Sequence, residues 1–277
     1  MDYFSFTKAG RAWNEDRCYV CEDYGFVLDG ATGFTKQKFS EYTSDAEWFS
    51  DTWKDYLIEA LKDMSKSLNT IVKEGIEVVK QKMDLLSKNQ TIEDYPSSTI
   101  SMFRINGDSI EYFVLGDSPM IFLTNHNQCF YFMSEALLRN DDINKAIVQD
   151  YAIKNNVDMI TARYKYGQCI LDGRSLKNTS DAYYILADDV NAIQHSLYGK
   201  IPKHIISKIL VLSDGYSQIC EVFKKCSFEE LVKKINSLKD ATKMYNKLYK
   251  WQEKDKQCNK YIRFKTRDDS SLVEYIV

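Results

Sequence analysis

The sequence predicts an α+β fold, and three observations carry that prediction. Apolar stretches of strand length and of helix length come in blocks, not in the strict alternation of a doubly wound sheet. Two long amphipathic helical patterns follow one another between residues 44 and 88, with strand-like segments on both sides. Several of those apolar segments end in an aspartate or lie beside one.

Taken in order, residues 1–43 read as short strands and turns. Phe4 and Phe6 alternate with polar neighbours, and Tyr19-Val20-Cys21 and Phe26-Val27-Leu28 flank Glu22-Asp23-Tyr24-Gly25 as a hairpin would. Ser44, with Glu47 three residues on, has the form of a capping box. Beyond it Trp48, Thr52, Tyr56, Ala60 and Met64 fall four apart, with Trp53, Leu57 and Leu61 beside them. A second stripe runs through Leu68, Val72, Ile76, Val79, Met83 and Leu86. These patterns predict an antiparallel helix pair packed on a sheet. Residues 97–133 read as an antiparallel meander, with turns at Asn106-Gly107-Asp108 and Asn125-His126-Asn127. Residues 136–155 read as helix and 164–171 as a segment containing a strand, within a polar, mobile insert at about 134–180. Strands are expected at 183–187, 209–212, 261–264 and 272–277. Between them Ser227 and Glu230 form a second capping box, opening a helix with Phe228, Leu231, Val232, Ile235 and Leu238.

Composition narrows the function classes. With 44% hydrophobic and 28% charged residues and only 3 Pro and 11 Gly, the 277-residue chain reads as one globular domain without a linker. No run approaches the roughly 18 apolar residues of a membrane span, and Met1-Asp2-Tyr3-Phe4-Ser5 lacks the form of a signal peptide. A cytoplasmic monomer that binds neither membrane nor nucleic acid is therefore expected. The seven Cys are irregularly spaced and read as reduced thiols. Cys18 and Cys21 match C-x-x-C, but a three-residue offset in a strand sends them to opposite faces. Residues 223–267 hold 14 Lys and Arg against 5 Asp and Glu, which reads as a solvated helix face and leaves the acids to the rest of the chain.

Those acids have a pattern. In Phe26-Val27-Leu28-Asp29-Gly30-Ala31-Thr32-Gly33 an apolar strand presents a carboxylate at its end. Leu115-Gly116-Asp117-Ser118 and Leu212-Ser213-Asp214-Gly215 repeat the arrangement. Glu15-Asp16 and Asp268-Asp269-Ser270-Ser271 each sit just before a strand. If these ends share one edge of a sandwich, five acidic groups meet in one cleft. Their repulsion is tolerable only with bound cations or raised pKa values. Oxygen donors without a neighbouring His suit Mg²⁺ or Mn²⁺ and disfavour zinc.

The same residues, in order, resemble the metal-dependent protein Ser/Thr phosphatases of the type 2C (PPM) family, closer to its bacterial members. The resemblance spans residues 11–273. It comprises Arg11-x-x-Asn14-Glu15-Asp16, Val27-Leu28-Asp29-Gly30-Ala31-Thr32-Gly33, Ser98-Thr99, Gly116-Asp117-Ser118, Leu212-Ser213-Asp214-Gly215 and Asp268-Asp269-Ser270-Ser271-Leu272-Val273.

The resemblance implies a four-layer αββα sandwich, two antiparallel sheets flanked by helix pairs, with two Mn²⁺ or Mg²⁺ ions at one end and a third, weaker site. It implies that Asp29 bridges both metals. Glu15 and the Gly30 carbonyl would serve one ion, and Asp214 and Asp268 the other. Asp117 belongs to the third site, and Asp16 and Asp269 support the ligands from behind. Arg11 would clamp the phosphate of a phosphoserine or phosphothreonine protein substrate. Two cations roughly 4 Å apart favour a bridging hydroxide as nucleophile near neutral pH, and a guanidinium fork fixes a phosphate for in-line attack.

Three positions depart from the family pattern. Ala31 stands where some members have a His that protonates the leaving group, Pro119 where the family often has Arg, and Asp269 where Asn is common, so Asp268 and Asp269 both remain candidate ligands. Two other readings remain: a regulatory module that keeps the fold with weak or no catalysis, and a phosphatase for small-molecule phosphates.

Overall fold

A computed structural model of the protein describes residues 3–31, 37–88 and 90–277. Thr32 and Gly33, the end of the motif after Asp29, lie outside the described residues, as do Met1 and Asp2.

Among the described residues, ten strands form two five-stranded sheets in which every pairing is antiparallel. The first sheet contains β2 (Asp16–Val20), β3 (Tyr24–Ala31), β4 (Ser97–Asn106), β5 (Ser109–Leu115) and β8 (Leu197–Pro202), side by side in that order. The second runs β1 (Tyr3–Lys8), β10 (Ser270–Ile276), β9 (Ile206–Leu212), β6 (Met120–Thr124) and β7 (Cys129–Phe132). Val27, Phe103, Val114, Phe122, Val211 and Val273 pack between the sheets as an apolar middle layer. This explains why the central strands read as continuous apolar runs: both of their faces are covered.

The outer face of the first sheet is covered by α1 (Asp45–Ala60) and α2 (Leu68–Ser87), whose Trp53, Leu57, Ile71 and Val79 meet Phe26, Leu28 and Met102. The buried stripe of α1 is Phe49, Trp53 and Leu57, the set beside the four-apart series, and Met64 at the end of that series is exposed. Ser44 caps α1 by accepting the Glu47 N–H, whereas the Glu47 carboxylate reaches Thr43 N–H instead of closing the expected box. The second sheet is covered by α6 (Asp214–Glu221), α7 (Phe228–Lys234) and α8 (Leu238–Lys254), through Tyr216, Ile219, Leu231, Val232, Ala241 and Leu248. The capping box at Ser227 and Glu230 is complete. The four-layer αββα order follows.

Several expectations are corrected. Residues 97–133 are not one meander: β4 and β5 belong to one sheet, β6 and β7 to the other. The chain crosses between them at residues 116–119, where Gly116 adopts φ +103°, a conformation side chains disfavour. Residues 164–171 are the end of α4 (Met159–Tyr166) and the start of α5 (Gln168–Ser175), behind α3 (Glu135–Asn155). Val148, Ala152, Met159, Ala162 and Cys258 give these helices a small cluster of their own. Residues 183–187 contribute a single bridge, Ser98 to Leu186, and 261–264 form no strand. All seven Cys are free thiols. Among the described residues no helix is long and apolar enough to cross a membrane.

Candidate metal centre

The acid-bearing strand ends meet at one end of the sandwich, and the strand register brings them there. Asp16 opens β2 directly opposite Asp29 near the end of β3, and Asp29 in turn faces Thr99 of β4. In the other sheet Leu272 pairs with Leu212, so the residues just before β10 and just after β9, Asp268 and Asp214, share that end. Asp117 lies on the crossing between the sheets. The Asp214 N–H donates to Asp29 Oδ2 at 3.2 Å, which ties the start of α6 to β3 across the sandwich. Gly215 lets the start of α6 lie against the segment before β10: a Cβ there would stand 1.8 Å from the Asp269 carbonyl oxygen.

Two carboxylates placed opposite each other on neighbouring strands repel, and the cluster carries that penalty openly. Burial, then the charges of Asp214, Asp16 and Asp268, push the Asp29 carboxyl well above the usual carboxylate range. Burial, together with Asp269, does the same to Asp16, partly offset by the hydroxyls of Ser213 and Ser271. Asp214 is pushed up to about 7 by burial and by Asp268. Asp117 is raised by burial and by Asp214, Asp141 of α3 and Glu221. Asp16 Oδ2 is buried without a hydrogen-bond partner among the described residues.

Such a group of oxygen donors fits a hard divalent cation, which would remove the repulsion that raises these pKa values. Among the described residues no three His, Cys, Asp or Glu side chains are gathered tightly enough to enclose an ion at once. The carboxylates form a looser cluster, and Lys265 reaches into it, donating to Asp268 Oδ1 at 2.7 Å.

The remaining predicted residues divide between this cluster and its rim. Glu15 is buried and accepts hydrogen bonds from Arg11, Trp13 Nε1 and Ser44 Oγ. Arg11 therefore stands beside Glu15, with its exposed guanidinium over the Trp13 ring at 4.2 Å. Gly30 follows Asp29 in β3, opposite Ser98. Asp269 Oδ1 accepts the Gly10 N–H and Oδ2 the Glu15 N–H, both at 2.7 Å. Both oxygens of Asp269 thus clip the loop carrying Arg11 and Glu15, while the Asp268 carboxylate accepts from Lys265 and its charge acts on Asp214. The two aspartates, adjacent in sequence, thus make different hydrogen bonds.

Sequence reasoning misses Lys265, Asp141 and the clipping role of Asp269. Lys265 carries a signal, its position three residues before Asp268, but it is hidden within the basic stretch. Asp141 lies in a helix of weak pattern and has none.

No family model matches the sequence, and no curated protein does. Solved structures do match in shape. The serine/threonine phosphatase PstP/Ppp of Mycobacterium tuberculosis has 14% identity and a TM-score of 0.57, covering 99% of this chain and 97% of that one. Serine/threonine phosphatase Stp1 of Staphylococcus aureus has 11% identity and a TM-score of 0.58, over 100% of this chain and 94% of that one. The catalytic domain of PstP in complex with 2 manganese ions has 14% identity and a TM-score of 0.56, over 99% and 97%. At these identities the likeness establishes the fold, which is that of the bacterial PPM-type Ser/Thr phosphatases.

Proposed function

We propose that this protein is a type 2C phosphatase, a Mn²⁺- or Mg²⁺-dependent hydrolase of phosphoserine and phosphothreonine on proteins. The observation that carries the reading is the convergence of Asp29, Asp16, Asp214 and Asp268, from both sheets, with the charged forms of Asp16, Asp29 and Asp214 disfavoured. A structural role rarely assembles such a group, because unrelieved carboxylate repulsion costs stability. The PstP catalytic domain, similar in fold, is described with 2 manganese ions, which supports the same cofactor class here.

In this reading Asp29, Asp214 and Asp268 would hold one ion, and Asp29, Glu15 and the Gly30 carbonyl would hold the other. Asp117 would supply the acid of a weaker third position. When bound, the cations supply positive charge that favours hydroxide over water near neutral pH and offsets charge on the phosphoryl oxygens. Asp16 and Asp269 act from behind: Asp16 lies opposite Asp29, and Asp269 holds the loop of Arg11 and Glu15. Arg11, at the exposed rim, presents a guanidinium to the substrate phosphate and turns it for in-line displacement. The water-derived nucleophile attacks phosphorus as the ester P–O bond breaks. Ala31 has no proton to give the departing alkoxide, so the reading assigns that proton to water.

The test is hydrolysis of p-nitrophenyl phosphate and of phosphoserine and phosphothreonine peptides by the full chain. Activity is expected with Mn²⁺, abolished by EDTA, restored by added Mn²⁺, and lower by orders of magnitude in Asp29→Asn. Turnover of p-nitrophenyl phosphate without any phosphopeptide would point to small-molecule phosphates instead. Bound Mn²⁺ with no turnover of either substrate would leave the regulatory module as the better reading.

A further inference from the structure

Lys265 stands inside the acid cluster, in a position that a divalent cation would contest. Its Nζ is 2.7 Å from Asp268 Oδ1, the oxygen that also accepts the Asp269 N–H at 3.1 Å. Asp268 precedes β10 at the end of the sandwich where Asp214, at the start of α6, donates its N–H to Asp29 near the end of β3, so the ammonium stands where three separate parts of the chain bring acids together. With the Lys265 side chain 36% exposed, this i,i+3 pair is worth little to stability by itself; its place beside the acids is what matters.

A lysine and a divalent ion need the same oxygens. The ammonium satisfies a carboxylate by hydrogen bonding, whereas Mg²⁺ or Mn²⁺ coordinates the oxygen directly at a shorter distance. Both cannot hold one carboxylate oxygen, and two like charges side by side in a partly desolvated cleft repel. From this we infer that Lys265 is a built-in counter-ion of the Asp268 and Asp214 side of the centre, which a divalent cation must displace in order to bind there. Two consequences follow. The two metal positions are unequal, and the one beside Asp268 is the weaker. The chain also neutralises part of its own acid cluster when divalent cations are scarce. The inference rests on the metal-centre reading above and adds to it a residue that sets the cation threshold.

Isothermal titration of the metal-stripped full chain with MnCl₂ at neutral pH tests it. Wild type is expected to show a tight class of site and a weak class beside Asp268, with the third position at Asp117 filling only at higher Mn²⁺. Lys265→Met is expected to tighten the weak class by about tenfold, a change equivalent to roughly 1.4 kcal/mol. Lys265→Arg, which keeps the charge, should leave it weak, and Asp268→Asn should remove it. Lys265→Gln carries the same expectation as Lys265→Met should the latter not fold, and far-UV circular dichroism reports folding for each variant. Unchanged Mn²⁺ affinity and stoichiometry in folded Lys265→Met overturns the role of Lys265 while leaving the metal centre standing. No Mn²⁺ binding by wild type or by Lys265→Met overturns the metal centre and this inference with it.

Discussion

Replacing Asp214 by Asn should stabilise the metal-free protein at high pH. Asp214 has a folded-state pKa of about 7 against an ordinary value of 3.8, raised by burial and by Asp268. Below about pH 3.8 the folded and unfolded chains both hold the proton, and the group costs nothing. Between these values the folded protein keeps a proton that the unfolded chain releases, so stability falls as pH rises. Above about pH 7 the full cost is present. Three pKa units correspond to on the order of 4 kcal/mol. That is an upper bound, because Asp268 and Asp29 share the same repulsion, and about 2 kcal/mol is a fairer expectation for the single substitution.

One effect opposes it. Asp214 is an acid in the first turn of α6, where the helix dipole favours a negative charge by about 0.3–1 kcal/mol. Repulsion therefore wins. For a domain of this size, about 2 kcal/mol is a rise of roughly 4–8 °C in Tm. The assay is thermal unfolding in EDTA at pH 6 and pH 8.5. Wild type should lose stability between the two relative to Asp214→Asn, and the variant should be the more stable at pH 8.5. Mn²⁺ should then raise the Tm of wild type and do so much less for the variant. A variant with the same pH slope as wild type, or a lower Tm at pH 8.5, would refute the reasoning.

Other predictions follow from the same geometry. Asp269→Ala removes the acceptor of two backbone N–H groups and should cost about 2 kcal/mol in urea unfolding, yet leave Mn²⁺ stoichiometry unchanged, whereas Asp268→Asn should lower that stoichiometry. Gly215→Ala places a methyl group 1.8 Å from the Asp269 carbonyl oxygen. It should cost roughly 3 kcal/mol or more, read as a lowered urea midpoint or loss of soluble protein. Arg11→Ala should raise KM for p-nitrophenyl phosphate by about tenfold with a smaller change in kcat, and Arg11→Lys should recover only part of it, because the guanidinium fork is lost.

How much of this was legible in the sequence depends on the range over which each feature is decided. The α1–α2 pair and the β2–β3 hairpin are local, so periodicity and turn residues reveal them. Asp29, Asp117 and Asp214 are recognisable because each follows an apolar strand. That they share an end, however, depends on which strands pair, and sequence spacing does not contain that. The crossing at Gly116 is hidden for the same reason: consecutive strands look like one meander until the sheets divide them. The start of α6 is masked by Asp214-Gly215, a pair that reads as a turn. In α8 the buried residues are only Ala241, Leu248 and Gln252, a stripe too thin to stand out among lysines. The different surroundings of Asp268 and Asp269 depend on residues far away in the chain: Gly10 and Glu15, more than two hundred positions off, donate to Asp269, and Asp214, at the start of α6, lies within the electrostatic reach of Asp268. Lys265 is the sharpest case. In sequence it is one lysine of a basic run; in space it donates to Asp268 of the acid cluster.

The central claim is that the acidic strand ends of both sheets form one two-cation centre shared through Asp29. Anomalous diffraction from crystals of the full chain grown with MnCl₂ tests it most directly. Two manganese peaks are expected at the end of the sandwich between the sheets, with Asp29 contacting both and Asp214 and Asp268 contacting one. No manganese peak within coordination reach of Asp29, at a Mn²⁺ concentration that saturates binding in solution, would contradict the account.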